Sequence, residues 1–127
     1  MDYGFSKTAD LSFEDTINKV TEELKKEGFG VLTTIDVKDT LKNKIDVDFK
    51  KYTILGACNP PFAHKALLAE EEIGLLLPCN VIVYEKEGKS AVSFFDPSLM
   101  TKVVENEILK SIAEEVREKL QRVFENV

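Results

Sequence analysis

Ile54-Leu-Gly-Ala-Cys-Asn-Pro-Pro-Phe-Ala-His-Lys-Ala-Leu67 and, shortly after it, Ile73-Gly-Leu-Leu-Leu-Pro-Cys-Asn-Val-Ile-Val-Tyr-Glu85 decide how this chain folds. Between them they hold both cysteines, the single histidine and three of the four prolines. The first stretch opens as a strand over Tyr52–Ala57. Asn59 then suits an N-cap, and Pro60 suits the first helical position, where a missing N–H is no loss. The spacing predicts a helix over Pro60–Glu70, ended by Glu70-Glu-Glu72 and Gly74. In the second stretch Ile73–Pro78 reads as extended and leads into a strand over Cys79–Glu85. A helix of that length carries the chain roughly 16 Å away at 1.5 Å per residue. An extended Ile73–Pro78 returns it by roughly 20 Å. Cys58 and Cys79 are thus expected at the same end of neighbouring antiparallel strands.

The flanking segments are ordinary helix and strand. Residues Asp2–Thr8 place Tyr3 and Phe5 two apart, the spacing of a short strand. Ser12-Phe-Glu-Asp15 has the spacing of a capping box, and Phe13, Ile17, Val20 and Leu24 continue at helical intervals to Gly28, a residue suited to the left-handed position past a helix end. Gly30–Asp36 is rich in β-branched residues and reads as a strand. A short helix over Val37–Lys44 and a polar connection over Asp46–Lys50 follow. Lys86-Glu-Gly88 joins Cys79–Glu85 to Lys89–Phe95 as a hairpin. Asp96-Pro97 reads as an N-cap and first-turn proline opening a helical turn over Ser98–Lys102. The last helix spans Glu105–Glu125, with Leu109, Ile112, Val116, Leu120 and Val123 in one apolar stripe. This pattern predicts a single α+β domain: a mostly antiparallel or mixed β-sheet with helices packed on one face, covered by the long C-terminal helix.

The 127 residues suit one core, and the composition, 43% hydrophobic and 31% charged, is that of a globular chain. A net charge of −6 argues against a nucleic-acid surface, as does the placing of both arginines, Arg117 and Arg122, in the last helix. Met1–Lys7 has no basic and then apolar run of a secretory signal. The longest apolar run, Ile73–Tyr84, is broken by Pro78 and Asn80 and is too short for a bilayer. The expected setting is the cytoplasm, without a membrane partner and with both thiols reduced.

The pairing of Gly56-Ala-Cys-Asn-Pro-Pro61 with Ile73-Gly-Leu-Leu-Leu-Pro-Cys-Asn-Val81 resembles the family known as domain of unknown function 302 (DUF302). The helix around Lys38-Asp-Thr-Leu-Lys42 and the segment Phe94-Phe-Asp-Pro97 are similar to that family as well. The resemblance covers nearly the whole chain. It implies a compact α+β domain found mostly in prokaryotes, and brings no reaction, substrate or cofactor.

The residues themselves nominate one candidate site: Cys58, Asn59, His64, Cys79 and Asn80. Cys58 precedes a helix N-terminus, where the dipole favours thiolate, and a nearby Cys79 would allow a reversible disulfide. With His64 the pair would supply three soft or borderline metal ligands. Amides at the helix start would suit a small anion, a carboxylate or phosphate, oriented by Asn59 or Asn80. Against these stands plain packing, because free cysteine often serves as a small apolar core residue, and this reading is favoured. Glu70-Glu-Glu72 reads as a solvated helix end. No phosphate loop, nucleophile elbow or His-Glu-x-x-His motif appears, so no catalytic constellation is assigned. The leading expectation is a small binding or interaction domain that forms a homodimer. The alternative is thiol-dependent redox or metal handling through Cys58, Cys79 and His64.

Overall fold

A computed structural model describes residues 2–127. Five strands form one antiparallel sheet in the order β1-β5-β4-β3-β2: β1 is Gly4–Ala9, β2 Gly30–Asp36, β3 Tyr52–Cys58, β4 Cys79–Lys86 and β5 Lys89–Phe95. Helices α1 (Phe13–Lys26), α2 (Val37–Ile45), α3 (Pro60–Ala69), α4 (Leu99–Val103) and α5 (Glu107–Glu125) complete the α+β domain. Ser12 caps α1 by accepting the Asp15 amide, and Gly28 turns the chain at φ 85°. A Cβ at Gly28 would come within 3.2 Å of Asn59 Nδ2, a second reason for glycine there.

The core lies between one sheet face and the pair α1 and α5. Leu55, Val81, Val83, Val92 and Phe94 from the strands meet Val20, Leu24, Leu109, Leu120 and Val123 from the helices, all buried. Each such side chain contributes about 1.5–3 kcal/mol by leaving water. The α5 stripe differs in one place from its sequence reading. Ala113 is buried, whereas Ile112 is only partly so.

The opposite sheet face carries no helix comparable to α1 or α5. Strand register places Ile35, Ile54, Ile82, Ser93 and Ser6 in one row across all five strands. Beside it run Tyr52, Tyr84, Ala91 and Thr8, with the Tyr52 and Tyr84 rings stacked at 5.2 Å. A third row begins Thr33, Gly56, Asn80. A Cβ on Gly56 would overlap the Thr33 hydroxyl and sit 2.8 Å from Pro78 Cγ, so only glycine lets these three elements meet.

Three local expectations are corrected. Glu71–Leu76 forms a 3-10 helix rather than an extended return, and the chain reaches β4 through Leu77 and a cis Pro78. An apolar run of this length cannot be assigned to strand or helix by periodicity alone. The last helix starts at Glu107, two residues later than expected, because Asn106 accepts the Leu109 amide as its cap. Helix α4 begins at Leu99, one residue later than expected, while Asp96 Oδ1 accepts from Ser98 N, as a cap does, and also from Ser98 Oγ and Arg117 Nε. Burial works to raise the Asp96 pKa, but these donors outweigh it and hold the carboxyl below its ordinary range. Among the described residues no helix is long and apolar enough to cross a membrane.

Candidate functional site

Cys58 ends β3 and Cys79 begins β4, and Cys79 lies directly opposite Ala57. The two cysteines are therefore diagonal neighbours at one end of the sheet. Both line a cavity of about 340 Å³ between this sheet end, α3, α4 and α5. Phe62, Ala63, Ala66 and Leu67 form its α3 wall, while Met100, Leu109, Ile112, Ala113 and Val116 form the α4 and α5 wall. Leu32 and Leu67 on its rim are exposed, so the cavity communicates with water.

Burial sets the chemistry of both thiols. Cys79 is 6% exposed, and its pKa is pushed up to about 12, first by burial and then by the proximity of Cys58. Cys58 is half-buried, and burial raises its thiol as well. The thiolate expected beside the α3 N-terminus is not favoured. Desolvation disfavours the charged form at both positions.

The sequence at this helix start also removes what an anion would need. Pro60 and Pro61 occupy its first two positions and carry no N–H, and the Ala63 amide is spent on the Asn59 carbonyl. Asn59 makes no side-chain cap. Its buried amide turns away and donates to the Glu27 carbonyl at 3.2 Å, joining the start of α3 to the end of α1. Tertiary contact thus overrides the local capping preference.

The remaining candidates lie apart from the cavity. His64 is exposed on the outer side of α3, away from the wall formed by Phe62, Ala63, Ala66 and Leu67. The structure does not bring it to the cysteines, and the described residues hold no group of three His, Cys, Asp or Glu placed for a metal. Asn80 follows Cys79 in an extended strand, so its side chain emerges on the opposite, open face, where it is exposed. What the sequence reading missed is the α4 and α5 wall. The available signal was the small size of Ala63, Ala66 and Ala113 on faces otherwise filled by larger apolar side chains.

Comparison with known proteins agrees with this architecture. The family model described as "Domain of unknown function DUF302" matches residues 5–127. The crystal structure of an uncharacterized conserved DUF302 protein from Bacillus stearothermophilus superposes with a TM-score of 0.91 at 28% identity, covering 99% of this chain and 98% of that one. Among curated proteins none matches. The chain belongs to the DUF302 family, a domain of unknown function.

Proposed function

We propose that this domain is a binding module whose cavity takes a small, uncharged, mainly apolar molecule, with Cys58 and Cys79 in the wall as soft, polarisable contacts. The observation that carries this reading is the cavity itself: about 340 Å³, open at its rim and lined almost wholly by apolar side chains. Small-ligand sites fall in the range of about 300–1,000 Å³ and are mostly apolar. Protein interiors otherwise pack to crystal density, so an apolar space of this size between the elements departs from ordinary packing.

The small anion expected from the sequence fits this cavity poorly, since Pro60 and Pro61 provide no donors. A second reading, reversible oxidation of Cys58 with Cys79, rests on their adjacency, and the reducing cytoplasm expected from the sequence would keep both thiols free. In it, peroxide would oxidise two thiols to one disulfide and be reduced to water.

The neutral fluorophore 1-aminoanthracene tests the first reading. Saturable one-to-one binding is expected, and Ala113→Phe, which fills the space from α5, should abolish it while the far-ultraviolet circular dichroism is retained. Absence of saturable binding, or binding unaffected by Ala113→Phe and by a second filling variant, Ala63→Phe, would overturn it. Rapid joint loss of both thiols under mild peroxide would instead favour the disulfide reading.

A further inference from the structure

The sheet face away from the core is the largest part of the molecule with no assigned role. Its cross-strand rows are uncharged from Asn80 to Tyr84, and only the Lys86–Lys89 pair at the hairpin end carries charge, although 31% of the chain is charged. At the corner where β2 meets α2, Ile35, Ile45, Val47 and Phe49 remain between 38% and 63% exposed. Helix α2 buries none of its side chains. Ordinary surfaces show such residues singly rather than gathered at one corner.

We infer that this open face, from the β2–α2 corner across to β4, is the contact surface between two copies of this chain. Three observations favour a second copy. The four corner residues leave roughly 350 Å² of apolar surface in water, a little under half of the roughly 800 Å² per partner that a standard interface buries. Half-buried Ile54, Ile82, Tyr52 and Tyr84 on the same face extend that area. The chain carries a net charge of −6, so two copies repel through most of their surfaces, whereas this face sets Lys50, Lys86 and Lys89 beside the exposed Asp46 and Asp48 and so carries both signs.

The ends of the face differ in sign. Lys50 and the hairpin residues Lys86 and Lys89 mark one end, and Lys50 Nζ lies 4.8 Å from the Tyr84 ring centroid. Asp2, exposed, flanks the other end beside Gly4 and Phe95. A two-fold axis through the face brings the lysine end of one copy to the acidic end of the other. Two-fold contacts are self-complementary in this way.

Sedimentation equilibrium over a low to high micromolar series is the test. The wild-type chain should be dimeric at the upper concentrations. Ile82→Lys, near the centre of the face, and Ile35→Lys, at its exposed corner, should each shift the protein to monomer, whereas Glu118→Lys on the helical side should not. Ile35 is already 47% exposed, so its variant is expected to fold even if Ile82→Lys does not. A wild-type chain that stays monomeric throughout overturns the proposal. A dimer that survives Ile35→Lys and Ile82→Lys also overturns it, by placing the contact elsewhere.

Discussion

Cys79 makes the stability of this protein depend on alkaline pH in a definite direction. Its ordinary value of 9.0 rises to about 12 in the folded chain, mainly through burial. Between those values the unfolded chain has released the thiol proton and the folded chain has kept it. The folded state then binds more protons, so stability falls as pH climbs from 9 towards 12, by at most about 1.4 kcal/mol per pH unit. Urea titrations of the wild type and of Cys79→Ala at several pH values isolate this effect, because other groups cancel in the difference. The wild-type advantage should be constant below 9 and shrink above it. A difference that does not change with pH would mean the thiol is not shielded. The same burial bears on what residue type left open for the pair. Neighbouring thiols before a helix start allowed an activated thiolate beside the favoured reading of plain packing, and only the packed surroundings add that burial raises both thiols.

The last helix was legible as an element but not in what each of its residues does. Its apolar stripe identified the side facing the sheet, and Leu109, Leu120 and Val123 are each 1% exposed there. Ile112 belongs to the same stripe yet reaches the cavity, where water can follow a polar group. Leu120→Asp should therefore cost several kcal/mol and leave little folded protein, because a charge is buried without a partner. Ile112→Asp should cost less than half as much in the same urea titration. Equal losses would show that the cavity does not admit water. The same contrast runs through the other elements. Helix and strand positions followed from periodicity, caps and the hairpin turn, which are local signals. Strand alternation also separates Asn80 from Cys79, a consequence available from the sequence once β4 is assigned. The 3-10 form of Glu71–Leu76 and the turning of Asn59 towards Glu27 depend on contacts with distant parts of the chain. No local pattern encodes them.

At the scale of the whole molecule the fold divides into a tightly packed body and a lightly held arm. The body consists of β1, β3, β4, β5, α1 and α5, which supply nearly all of the buried apolar residues. The arm consists of β2 beyond Val31 together with α2. Its residues are exposed or half-buried, and Lys38 Nζ donating to the Phe49 carbonyl at 2.7 Å is one of its few side-chain ties. The register shift between Val31 and Thr33 marks where body gives way to arm. Segments with so little burial open at a lower free energy than global unfolding, as a cooperative unit. Amides of residues 32–47 should take up deuterium well before those of β4 and β5 in dilute solution, and equal protection throughout would refute that division. Leu32 and Thr33 belong to the arm and also to the cavity wall. Each brief opening of the arm would therefore draw back one side of the pocket, a transient second way in beside the open rim for the occupant proposed above.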